Sequence, residues 1–291
     1  MTLYLKKKFS TITMMIFITI FLSCAGSDID INENRKVIDQ LISQANSYWD
    51  QRTEPRSLDK AENLIIKILE QRPDDFENTI LLSKIKFTKA YFLEENSTKR
   101  NTLFFDGKEM CRKAVMTHPD FALIYNNEKG DTSFKLLSSL TDAPQSILSG
   151  LYWWGTNLAH YLNTKPVIDR LNNRELLEVI MHRVIALDPG FDYGGPYRFF
   201  GMLYTRIPGM DISQSHSYFD QAFKTNPQYL GNSVLMAQFY HQKAGNREQF
   251  NEILNNVLNT NLTTNPEVMT DNWLYQNKAR TLLDDESSLF E

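Results

Sequence analysis

Leu176-Leu177-Glu178-Val179-Ile180-Met181-His182-Arg183-Val184-Ile185-Ala186-Leu187-Asp188-Pro189-Gly190-Phe191 contains both a helix and its stop. Leu176, Ile180, Val184 and Leu187 recur at helical spacing and form one apolar stripe. Pro189 then ends the helix, because a proline has no N–H to give and clashes with the preceding turn. The aromatic that follows can pack back over the junction. Three other places repeat the pattern: Pro73-Asp74-Asp75-Phe76, Pro119-Asp120-Phe121 and Pro227-Gln228-Tyr229. Each follows a stripe of its own, such as Leu58-Ala61-Ile65-Ile68-Leu69 or Tyr218-Phe219-Ala222-Phe223.

These prolines stand 46, 70 and 38 residues apart, and Pro266 follows 39 further on. A spacing of 38 or 39 residues is close to the tetratricopeptide unit of two antiparallel helices. The expected fold is therefore all-α, a tetratricopeptide-like helical-repeat solenoid of about ten to twelve antiparallel helices. Paired segments run Val37–Gln51 with Ser57–Gln71, Asn78–Leu93 with Leu103–Thr117, and Pro144–Leu162 with Arg174–Leu187. Pro196–Arg206 with Ser213–Thr225 and Ser233–Ala244 with Arg247–Leu258 come next, and Glu267–Leu283 caps the array. The 70-residue interval holds an insertion at about 125–143, whose periodicity is weak and whose turn residues include Asn126, Asn127, Gly130 and Asp131.

Composition agrees with a helical body. Gly and Pro number only 12 and 10 among 291 residues, too few for a loop-rich β protein, while 42% hydrophobic residues suffice for a large core. A net charge of −4 leaves no basic footprint for nucleic acid. Two cysteines exclude a disulfide scaffold.

The front end differs from the body. Lys6, Lys7 and Lys8 precede an apolar run from Phe9 to Leu22, shorter than the roughly 20 residues a spanning helix needs. Phe21-Leu22-Ser23-Cys24 resembles a bacterial lipobox, with Phe21 where leucine is usual. Residues 1–23 thus read as a lipoprotein signal peptide, Cys24 as the lipidated residue, and 24–36 as a tether to the helical domain, 37–291. A doubly or triply acylated cysteine supplies the two-chain anchor that one chain cannot. The expected location is the bacterial cell envelope, lipid-anchored with the body in the periplasm. Cys111, within a helical pattern, reads as a buried spectator.

No motif points to chemistry. His118, His160, His182, His216 and His241 are scattered without a ligand pair, and no P-loop, dinucleotide fingerprint or nucleophile elbow occurs. We expect no enzyme, cofactor or metal. The stretch from Leu151 to Gly209 is the richest. Adjacent Trp153 and Trp154 point about 100° apart on a helix, so at least one packs between helices. Gly194 and Gly195 permit a tight turn, and Pro196 suits a first helical position. Arg198 then lies in the first turn of its helix, where a cation opposes the dipole, so a carboxylate elsewhere is expected to pair with it. The structural reading is a salt bridge to the preceding helix pair; the functional one is an anchor for an anionic group.

The lipidated front, the imperfect helix pairs, Trp153-Trp154-Gly155 and Gly194-Gly195-Pro196-Tyr197-Arg198-Phe199-Phe200-Gly201-Met202-Leu203-Tyr204 together resemble one family. It is the T-component, the lipoprotein partner in the tetratricopeptide-associated branch of tripartite ATP-independent periplasmic (TRAP) transporters. The likeness is best from about Gly150 to Asn259 and includes Tyr48-Trp49-Asp50-Gln51-Arg52. The resemblance implies a periplasmic scaffold that associates with the transporter's solute-binding subunit, and a homotrimer with channels through its subunits. On that basis a concave face and channel mouth lined by Trp153, Trp154, Asn157, Arg198 and Tyr204 would receive the subunit or its apolar ligand. Trp154→Ala and Arg198→Ala would then weaken capture and leave helicity intact. The alternative is a lipoprotein scaffold for cell-envelope or outer-membrane assembly.

Overall fold

A computed structural model describes residues 34–291, and the expected signal peptide, Cys24 and most of the expected tether lie outside the described residues. Residues 34–36 are already helical, so a first helix, α1, is described from 34 to 50. It is followed by α2 (Pro55–Gln71), α3 (Phe76–Thr88), α4 (Ser97–Thr117), α5 (Pro119–Asn127), α6 (Thr132–Thr141) and α7 (Leu148–Leu162). Then come α8 (Val167–Asn172), α9 (Arg174–Leu187), α10 (Phe191–Tyr204), α11 (Ile212–Thr225) and α12 (Leu230–Leu235). The chain closes with α13 (Arg247–Asn259), α14 (Met269–Asp284) and α15 (Glu286–Leu289). The described residues are all-α, without a strand.

The proline punctuation falls where the sequence put it. Pro73, Pro189 and Pro227 each stand between two helices and Pro119 opens α5, and the aromatics after them are buried or half-buried at or near the start of the next helix. Local caps share the work: Asp75 accepts from the N–H of Asn78 at 3.1 Å, and Asn96 from that of Lys99 at 3.0 Å.

Two expectations change. The stretch at 125–143 is not irregular, since it contains the end of α5 and all of α6. Asp131, which reads as a turn residue, is the N-cap of α6 and accepts from the N–H of Phe134 at 3.0 Å. Both helices are too short to stand alone; they are held by burying Phe121, Leu140 and Ala143 in the main core. In addition, two segments expected as single helices each continue through a π-helical turn, Lys89–Leu93 after α3 and Met236–His241 after α12.

Neighbours in sequence pack on one another through most of the chain, from α2 on α3 and α3 on α4 to α10 on α11 and α13 on α14. α5 and α6 are bypassed: α7 returns to pack on α4 and also meets α9. Gly155 lies at the second contact, where a Cβ would stand 2.6 Å from Met181 Cε and 3.3 Å from Ile180 Cγ2. Three apolar clusters result, one over α1–α3, one centred on α4, α7, α9 and α10, and one over α11–α14. Cys111 is wholly buried in the central cluster, and burial pushes its thiol up to about 12.

The two ends of the array meet. Arg52, just after α1, donates from Nε to Asp271 Oδ1 of α14 at 2.9 Å, and its guanidinium lies 4.6 Å from the Trp49 ring centre. Farther in, Tyr91 in the first π turn donates to Gln238 Oε1 in the second at 2.9 Å. What sequence reading takes as an open concave face is therefore partly roofed by side chains from both halves.

Candidate functional site

Tyr152, Trp153, Thr156 and His160 stand at i, i+1, i+4 and i+8 on α7 and present one face to the interior of the array. Opposite them are Trp49, Lys84, Tyr91, Arg198, Tyr229 and Tyr275, and between them lies a narrow cavity. Both π turns contribute to this interior, the first through Tyr91 and Phe92 and the second, in adjoining cavities, through Gln238 and Phe239. Such turns recur at functional sites because they displace side chains from the regular helical register. On one side Lys84 sits between two indoles, 5.3 Å from the Trp49 ring centre and 5.2 Å from that of Trp153. Its Nζ is 3.9 Å from Asp192.

The floor is built on a strained turn. Asp192, Tyr193 and Gly194 take positive φ angles of 49°, 59° and 80° before α10 becomes regular. Two of the three are not glycine, and each such residue costs about 1–3 kcal/mol. Arg198 holds the turn. Its guanidinium donates to Asp192 Oδ2 at 2.7 Å and to the carbonyls of Asp192 and Tyr193 at 3.0 and 3.3 Å. It also reaches Asn232 Oδ1 at 2.8 Å and Tyr152 Oη at 3.2 Å, and the Tyr152 hydroxyl donates to Asp192 at 2.8 Å. Arg198 is 3% exposed.

The carboxylate expected for Arg198 thus exists, but it belongs to Asp192 of the same segment rather than to the preceding helix pair. Gly194 and Gly195 do form the tight turn, and Pro196 stands in the first turn of the regular helix. Of the five residues expected to line one face, only Trp153 and Arg198 share the cavity. Trp154 is 2% exposed inside the central core. Asn157, fully buried, donates to Ser83 Oγ at 3.1 Å and ties α7 to α3. Tyr204 packs on Phe200 and Tyr218, each with ring centres 5.5 Å away, and burial raises its hydroxyl to about 12. A helical-face count starting at Tyr152 finds Thr156 and His160; starting at Trp154 it leads into the core.

His160 is the pivot of the interior, since it also lines two adjoining cavities beyond the first. Its ring lies among Phe87, Tyr91 and Phe104, with centres 5.2, 5.2 and 5.0 Å away. Burial, and then the charges of Arg206 and Lys278, push its pKa from 6.5 down to about 3. The fold keeps this imidazole neutral. Between about pH 6.5 and 3 the unfolded chain therefore binds a proton that the folded chain refuses, and stability falls with pH through that window. Replacing His160 with phenylalanine should remove on the order of 1 kcal/mol of that loss per pH unit. Urea midpoints of both proteins at pH 7 and pH 4.5 check this, and parallel pH slopes would count against it.

Among the described residues no group of three His, Cys, Asp or Glu side chains could hold a metal. No described helix is long and apolar enough to cross a membrane. The interior offers hydrogen-bond donors, aromatic walls and fixed charges, which suit binding. No curated protein matches the chain. The family described as TRAP transporter T-component matches residues 60–290, which takes in every helix of the cavity wall from α3 to α14. The chain belongs to the TRAP transporter T-component family.

Proposed function

We propose that the protein is the lipid-anchored periplasmic T-component of a TRAP-type transporter, binds its solute-binding subunit and helps to capture or pass on that subunit's ligand. The observation that supports the reading is the set of cavities meeting at His160, whose walls, apart from Trp49 of α1, come from helices within the family match. T-components are accessory, non-catalytic parts of their transporters. A lipid on Cys24 adds a physical gain, because tethering one binding surface raises its partner's effective concentration without any new contact. In the same reading the homotrimer buries apolar helix faces such as Val167, Ile168 and Leu171 of α8, which are exposed at 43%, 59% and 42%.

The test is a pull-down from detergent-solubilised native membranes, with mass spectrometry of the retained proteins. The expected result is a periplasmic solute-binding subunit, retained by the wild type and lost when Trp49 and Lys84 at the cavity are both changed to alanine. Retention of outer-membrane assembly proteins, with no solute-binding subunit, would replace the transport reading with the envelope scaffold.

A further inference from the structure

Tyr91 and His160 line both the inner cavity, which Trp153 and Thr156 also wall, and the next one out, where Asn101, Gln238 and Lys278 stand. Side chains that face two cavities form the partition between them. Here the partition is a single aromatic contact, since the two rings meet edge to face with centres 5.2 Å apart. Thr156 stands one helical turn from His160 on the inner side and is only 4% exposed. Thr88 of α3, on the same cavity, is 5% exposed. With the partition closed, solvent scarcely reaches either hydroxyl.

The two rings are held differently. His160 belongs to the regular helix α7 and is wedged among Phe87, Tyr91 and Phe104. Tyr91 belongs to one π turn and its partner Gln238 to the other, and both turns set their side chains outside the regular helical register. Among the described residues the Tyr91 hydroxyl makes one hydrogen bond, to Gln238 Oε1 at 2.9 Å. Burial pushes that hydroxyl well above its usual range, so it keeps the proton it donates. The ring's other neighbours are Phe87, Phe92 and Lys278, at 5.6, 4.8 and 5.3 Å from its centre. Ring contacts tolerate a range of offsets, whereas a hydrogen bond fixes its donor within a narrow range of distance and angle. The bond to Gln238 is thus the directional restraint that keeps Tyr91 against His160.

We propose that Tyr91 is a gate between the two cavities and that its hydrogen bond to Gln238 is the latch. Breaking the bond lets the ring swing to another rotamer, away from His160, and joins the cavities. The latch ties together turns 147 residues apart, so a displacement of one half of the array against the other reaches the gate directly. The proposal rests on reading the cavities as a ligand route, and it names the point at which that route is closed.

Thr156→Cys puts a thiol behind the gate. Labelling of the full-length protein in a non-ionic detergent with methyl methanethiosulfonate, read by mass spectrometry of the peptide around residue 156, then measures how often the gate opens. Cys111 is the internal control, because its wholly buried thiol reacts only when the fold itself opens. In this background Tyr91→Phe and Gln238→Leu should each speed labelling at residue 156 about fivefold, the equivalent of one hydrogen bond. The two together should do no more than either alone, since both remove the same bond. Tyr91→Ala, which removes the ring as well, should label faster than either, and Cys111 should stay unlabelled throughout. Thr88→Cys repeats the test from α3 and serves if Thr156→Cys alone exposes Cys111. A rate unmoved by both single changes, or multiplied in the double variant, would overturn the latch. No labelling even in Tyr91→Ala, or labelling of Cys111 in step with the new thiol, would overturn the gate. The pull-down above is scored separately: a retained solute-binding subunit with latch-independent labelling removes this inference alone. Latch-dependent labelling without the subunit removes the partner reading and leaves the gate.

Discussion

Arg198→Ala should lower stability by about 3–5 kcal/mol, the cost of leaving a buried charge without its partner. The substitution strands the Asp192 carboxylate, whose side chain is only 11% exposed, with the Tyr152 hydroxyl as its nearest remaining donor. It also removes the guanidinium's bonds to the carbonyls of Asp192 and Tyr193, which leaves the left-handed turn to Asn232, the Tyr152 hydroxyl and the Gly194 N–H bond to the Gly190 carbonyl. Arg198→Lys should not restore it, because one ammonium cannot span the five acceptors that the planar guanidinium reaches. Urea unfolding of both variants reads the effect, and a midpoint like the wild type's would show that the turn stands without its clamp. Any loss of partner capture in Arg198→Ala would consequently report on the fold, which reverses the expectation drawn from sequence alone.

Trp154→Ala is the second large effect, again about 3–5 kcal/mol, as for other large aromatic side chains removed from a packed core. Trp154 is almost fully buried and does not line the cavity. The loss should appear as a lower thermal midpoint, with binding at the cavity unaltered below it. Its neighbour behaves differently. Trp153 makes edge contacts with Phe87 and Tyr152 at 5.3 and 5.2 Å and presents its face to Lys84. A Trp153→Phe protein keeps most of that packing and loses the broad surface offered to the cation. If both variants melted alike and bound alike, the separation of the two indoles into core and cavity wall would be wrong.

The difference between the two tryptophans illustrates what a sequence discloses. Helix stops are local events, so Arg174–Leu187 has both its boundaries where the stripe and Pro189 put them, and α13 starts at Arg247 as expected. α5 and α6 escaped notice because their stability comes from contacts outside their own sequence, through Phe121 and Leu140. Electrostatics was half legible. A cation in the first turn of a helix signals a hidden carboxylate, yet nothing in the spacing shows that Asp192 would be folded back onto it by three positive φ angles. The cavity itself was illegible, because Tyr91 and Gln238 are 147 residues apart and Arg52 and Asp271 are 219 apart. The family likeness needed none of this geometry, since it rests on the front end and on short motifs, of which Trp153-Trp154-Gly155 and Gly194-Gly195-Pro196 fall within the matched residues 60–290.

The bond between Arg52 and Asp271 bears on how the molecule comes apart. A linear row of helices frays from its tips, each unit peeling away at a lower free energy than the one behind it. Here Arg52 and Asp271 are 8% exposed and largely shielded respectively, and Thr270 adds a hydroxyl contact to the Asp50 carbonyl at 3.5 Å. Neither tip is free to peel alone. Amide protons near residue 50 and near residue 271 are then protected by the same opening event, and a cut in a surface loop leaves two fragments that still hold each other. The Arg52–Asp271 bond thus couples the two ends of the chain, so that an opening at one should be felt at the other.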